Sequence, residues 1–200
     1  MVGGLTAAIV ARSAVVPSDW HFAFNVTIVG LSVAVALLAA LSAEELGLAR
    51  QHLGSGLRLG GLVFVTITAI VALGAPFGFL DDDRTAVDLG DMTLRVLVTI
   101  PIGTVLMEEF AFRGVLDGLL DRVAPPAAAM MIGAGLFGRW HVPPLLDEGV
   151  AVVLVTLAGT TVAGVGFIWL RRRSGSLLAP VLAHLATNSS TFALSWVASR

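Results

Sequence analysis

Cysteine, lysine and tyrosine are all absent from this 200-residue chain. Without cysteine there is no disulfide framework, no thiolate zinc site, no cysteine nucleophile and no lipid-modified cysteine. Without lysine or tyrosine, Schiff-base chemistry and a tyrosine acid are excluded too. Charge is also scarce: 13% of the residues are charged against 56% hydrophobic. A water-facing domain of this size carries about 25% charged residues, so this chain has too few to coat a surface in water. Its net charge of -2 offers no basic field for a phosphate backbone, and nucleic acid is not an expected partner. With a mean hydropathy of +0.92, the sequence reads as an integral membrane protein whose main partner is the lipid bilayer. The N-terminus has no basic region ahead of its short apolar stretch, which argues against a cleaved signal peptide; residues 1–16 read instead as an interfacial or partly inserted segment.

A bilayer-spanning helix needs about 20 mostly apolar residues, and six stretches come close: 22–43, 59–80, 92–120, 126–141, 150–170 and 177–197. The third is too long for a perpendicular span and carries Pro101 and Gly103, where a kink can be absorbed. The fourth starts at Pro125-Pro126, a helix-start signal, and stops at Pro143-Pro144. No alternating strand pattern appears. The expected fold is therefore all-α: a polytopic membrane helix bundle of about six transmembrane helices plus the short N-terminal segment, one membrane-embedded domain over 1–200. Arginines cluster between spans one and two, at the end of span three (Arg113, Arg122) and after span five (Arg171, Arg172, Arg173), which assigns those regions to the cytoplasmic side of a multi-pass cell-membrane protein. The Asp81-Asp82-Asp83 cluster reads as a solvated outer loop, since the ordered spacing of a calcium loop is missing.

Ionisable groups inside a span cost several kcal/mol, so they mark function by default. Glu109 and Arg113 are four residues apart with the acid first, the favourable orientation for an ion pair on one helix face. Glu108 projects about 100° away from Glu109, which leaves one carboxylate free to face the bundle interior as a general base for water. His184 and Asn188 also share a helix face and offer N–H donors to a developing oxyanion, although such a pair serves equally well as interhelical glue. His141 closes the fourth stretch one turn after Phe137. If stretches three and four join near residues 121–123, Glu108 and His141 both lie about 20–24 Å from that turn, at matching depth.

In order, Glu108-Glu109-x-x-x-Arg113, Phe137-x-x-x-His141 and His184-x-x-x-Asn188 resemble the motifs of the CPBP family of intramembrane proteases, which includes the type II CAAX prenyl endopeptidases and the bacterial Abi proteins. The resemblance covers a protease core of about 92–197. It implies a metal-independent, cofactor-free endopeptidase acting on a membrane-associated or prenylated peptide or protein substrate. Glu108 would activate water, His141 would help to hold it, and His184 and Asn188 would form the oxyanion site. Glu109, Arg113 and Phe137 match motif positions with a structural part.

Other functions stay open at the level of sequence. Glu108, His141 and His184 also make a two-histidine, one-carboxylate set for a zinc-dependent protease. A non-catalytic membrane immunity or scaffold factor would bind peptide in the same cavity. Buried Glu and His also mark proton relays, though no inverted repeat of a transporter is visible.

Overall fold

The computed structural model describes residues 21–74 and 86–200; the expected N-terminal segment 1–16 and the Asp81–Asp83 loop lie outside them. Among the described residues the chain is all-helical, with no strand. Six helices follow one another: α1 (His21–Leu38), α2 (Leu53–Gly74), α3 (Leu89–Leu120), α4 (Pro126–Trp140), α5 (Val150–Ser174) and α6 (178–198). All six apolar stretches are thus helical. Three of them, α2 with its lead-in from Arg50, α3 and α5, are long and apolar enough to cross a membrane. α4 has 15 residues, about 22 Å of helix against a hydrocarbon thickness of about 30 Å, so it is too short to span alone.

The helix ends follow from local chemistry. Asp88 caps α3 by accepting from the Asp91 amide at 2.8 Å. Pro126 occupies the first turn of α4, where its missing N–H costs nothing. Gly175, with φ +69°, ends α5 in the left-handed conformation that favours glycine. Between α1 and α2, Ser42 and Glu45 form a reciprocal box. The Ser42 amide and hydroxyl donate to the Glu45 carboxylate at 2.8 Å, and the Glu45 amide donates back to the Ser42 hydroxyl at 3.2 Å.

α3 is not a regular α-helix. Arg95–Thr99, Pro101–Leu106 and Phe110–Leu116 are π-helical, separated by short α-helical turns. Pro101, which lacks a donor, is taken up inside this widened stretch. α6 has a similar widening at Ala186–Ser190. These are the two helices that carry Glu108 and Asn188.

Burial is inverted relative to a protein in water. Leu57, Leu62, Val65, Ile70, Leu97, Val155 and Val162 face outward, while Asn25, Glu108, Glu109, Arg113, Asp117 and His184 are buried. An exposed apolar coat over a polar interior is what lipid as solvent requires. Small residues bring the helices together: a Cβ at Gly60 of α2 would lie 2.7 Å from Ala179 Cα of α6, and one at Gly138 of α4 would lie 2.9 Å from the Leu157 carbonyl of α5. Neither position has room for a side chain. At one end of the bundle Arg122, Arg171 and Arg172 gather around the 39–47 connection.

Candidate active site

Glu108 and Glu109 stand in the α-helical turn Met107–Glu109, between two π-helical stretches of α3. Being consecutive, they leave the helix in different directions and meet different partners. Oε1 of Glu109 lies 3.1 Å from Arg113 Nη1 and 2.7 Å from His184 Nδ1. An ionised carboxylate only accepts, so Nδ1 of His184 carries a proton and its Nε2 is left as a lone pair in the neutral ring. Asn188 Nδ2 sits 3.3 Å from that Nε2. A connected line therefore runs Arg113, Glu109, His184, Asn188, from α3 across to α6.

Glu108 faces the other way. Its Oε1 accepts from Trp140 Nε1 at 2.9 Å. Its Oε2 is buried without a hydrogen-bond partner, and lies 3.9 Å from Nε2 of both His141 and His184. His141 follows the last residue of α4, where Pro143 stops the helix, and its Nδ1 donates to the Phe137 carbonyl at 2.9 Å. That bond satisfies one of the orphan carbonyls at a helix end and turns Nε2 towards Glu108. One carboxylate oxygen and two imidazole nitrogens thus converge on a single small volume at 3.9 Å spacing, too far for direct hydrogen bonds and suited to a bridging water.

Aromatic rings wall this volume. The Arg113 guanidinium lies 3.8 Å from the Phe137 ring centroid and 5.0 Å from that of Phe167, so ring faces replace part of the solvation a buried cation loses. Phe137 also meets His141 edge-on at 4.7 Å, and Phe167 stacks on His184 at 5.0 Å. Below them Arg113 and Asp117 line a charged cavity of about 360 Å³ with Arg171 and Arg172.

All seven residues singled out from the motifs therefore fall in one cluster: Glu108, His141, His184 and Asn188 around the converging atoms, with Glu109, Arg113 and Phe137 behind them. Sequence reasoning paired Glu109 with Arg113, and the structure adds its bond to His184. Trp140 and Phe167 went unnoticed. Trp140 could have been found, since it lies three residues after Phe137 and shares its helix face; Phe167 has no local signal.

The fold and cluster define an all-α membrane protein with a buried carboxylate, histidine and amide site. A model of the type II CAAX prenyl endopeptidase Rce1-like family matches residues 90–190, a stretch that contains all seven motif residues. The chain belongs to that family. No curated protein and no solved structure matches it.

Proposed function

We propose that the chain is a multi-pass endopeptidase of the cell membrane that hydrolyses a peptide bond of a membrane-associated substrate, using water activated by Glu108. The observation carrying this reading is the buried Oε2 of Glu108, unpartnered and 3.9 Å from two imidazole nitrogens. Trp140 holds Oε1, so the free oxygen points at the water position. Glu108 takes a proton from the water, His141 fixes its orientation, and the oxygen attacks the peptide carbonyl. The amide N–H of Asn188 donates to the oxyanion that forms. His184 joins it as a donor only with a second proton on Nε2, and the Glu109 carboxylate at Nδ1 balances the positive ring. Glu108 then passes its proton to the leaving amine. In this reading the whole chain, 1–200, is one domain, and the arginine-rich end faces the cytoplasm.

The test compares membrane peptides of cells carrying the wild type with those carrying Glu108→Ala, followed by cleavage with purified, metal-analysed protein. A cut made only by the wild type and insensitive to chelators is the expected result. Loss of activity on chelation, restored by zinc, would replace glutamate-only chemistry with the metal-assisted version. Identical peptide profiles, with a folded Glu108→Ala protein that still captures peptide, would point to a non-catalytic binding factor.

A further inference from the structure

A second cavity, of about 410 Å³, opens beside Asn188 between the early turns of α3 and the middle of α6. It is lined by Arg95 and Thr99 from one helix and Thr187, Asn188, Thr191 and Phe192 from the other. The Ser189 hydroxyl, bonded to the Val96 carbonyl at 3.2 Å, ties the two helices together at this level. Arg95 is exposed to the cavity with its guanidinium carbon 5.8 Å from the Phe192 ring centroid. Arg113, Arg122 and Arg172 each have a carboxylate partner. Among the described residues Arg95 has none, Asp91 one turn earlier included. A guanidinium inside a helix long and apolar enough to cross a membrane is costly without an anion, and here it is surrounded by three hydroxyls and no competing carboxylate.

Resting on the proteolytic reading above, we propose that this cleft is a substrate subsite that holds a carboxylate of the bound peptide, with Arg95 as the anchor and the Thr99 and Thr191 hydroxyls as further donors. Phe192 lies one helical turn, about 6 Å, beyond Asn188. A carboxylate on Arg95 therefore sits two to three residues from the carbonyl held by Asn188, at about 3.3 Å per extended residue. The planar fork of arginine matches a carboxylate in two-point geometry. Either the end of the peptide chain or an Asp or Glu side chain supplies that chemistry.

Binding is read by fluorescence anisotropy on Glu108→Gln protein in nanodiscs, so that turnover does not enter. The probes are one labelled apolar peptide with a free C-terminal carboxylate, its C-terminal amide, and amides with one glutamate scanned along the sequence. The expected result is a preference of about tenfold or more for a carboxylate-bearing peptide over the neutral amide. Arg95→Gln erases that preference, and Arg95→Lys, which keeps charge but not the fork, retains part of it. Preference for the free end assigns the chain terminus; preference for a glutamate at one position assigns a side chain. Equal binding of all probes, or a preference that survives Arg95→Gln in protein with an intact melting transition, overturns the anchor. Cleavage by wild type is measured separately. Peptide cleavage without any carboxylate preference overturns the subsite and leaves proteolysis standing, whereas Arg95-dependent binding without cleavage overturns proteolysis and keeps the subsite.

Discussion

Arg113 and Arg122, one inside α3 and one just past its end, are held in opposite ways. Arg122 is exposed and well supplied: it donates to the Glu45 carboxylate at 2.6 and 3.0 Å and to the carbonyls of Ala39 and Ala40 at 2.7 and 3.2 Å. Arg113 is 1% exposed, has the Glu109 carboxylate and the Phe137 ring, and keeps two nitrogens without hydrogen-bond partners. By a count of hydrogen bonds Arg122 is the better anchored. By energetics Arg113 matters more, because water replaces a lost partner at the surface and cannot do so in the interior. The comparison teaches that the bundle spends good geometry on its arginine-rich end and leaves under-satisfied groups where chemistry is wanted.

The largest expected effect comes from the buried side. Glu108→Gln removes the only unpartnered oxygen aimed at the two imidazoles and lowers turnover by about 10⁴-fold, the upper end of what a general base contributes. Its melting transition stays close to wild type, since Trp140 still finds an oxygen acceptor. Activity in folded Glu108→Gln would remove the assignment. Asn188→Ala comes next, lowering single-turnover rates by about 10²–10³ while a non-cleavable peptide still binds. Weakened binding with an intact rate would return Asn188 to interhelical glue.

Stability separates the two arginines. Glu109→Gln or Arg113→Ala strands one buried charge and costs about 3–5 kcal/mol, readable as lowered thermal stability in detergent. Combining Glu109→Gln with Arg113→Met removes both charges and recovers much of the stability. Activity stays low, because His184 has lost the carboxylate that fixes its ring. Recovery of both would reduce Glu109 to a purely structural role.

The smallest effect is at the exposed end. The hydrogen bond from Arg122, with those from Ser42, holds the Glu45 carboxyl at about 2, below its ordinary 4.5. A carboxyl depressed by folding adds stability that is complete above about pH 4.5 and fades as pH falls through about 2. Melting temperatures of wild type and Arg122→Ala should therefore differ slightly at pH 6 and converge by pH 2. A gap that persists at pH 2 would assign the effect to the Ala39 and Ala40 carbonyls instead.

Much of this arrangement was legible in the sequence because helices impose a fixed pitch. The apolar runs marked all six helices, the spacing of four gave the Glu109–Arg113 and His184–Asn188 neighbours, and the rise per residue placed Glu108 level with His141. Contacts that depend on rotation about the helix axes were not legible. The Glu109–His184 bond joins residues 75 positions apart, and no local pattern fixes which face α6 turns to α3. The π-helical stretches of α3 leave no mark on an unbroken apolar run. The grip of Arg171 on the carbonyls of Glu44 and Glu45 was hidden for the same reason, since charge bias assigns a side of the membrane and names no partner.

The bond from the Trp140 indole to Glu108 places a fluorophore against the proposed base. The chain has four tryptophans, and replacing Trp20, Trp169 and Trp196 with phenylalanine leaves this indole as the sole emitter. Its N–H senses the charge on the carboxylate it touches, and its ring packs edge-on against Phe112 at 5.9 Å, shielded from quenchers in water. Emission wavelength and lifetime then report occupancy and protonation at Glu108 in real time, in a bilayer, with no label and before any product is identified.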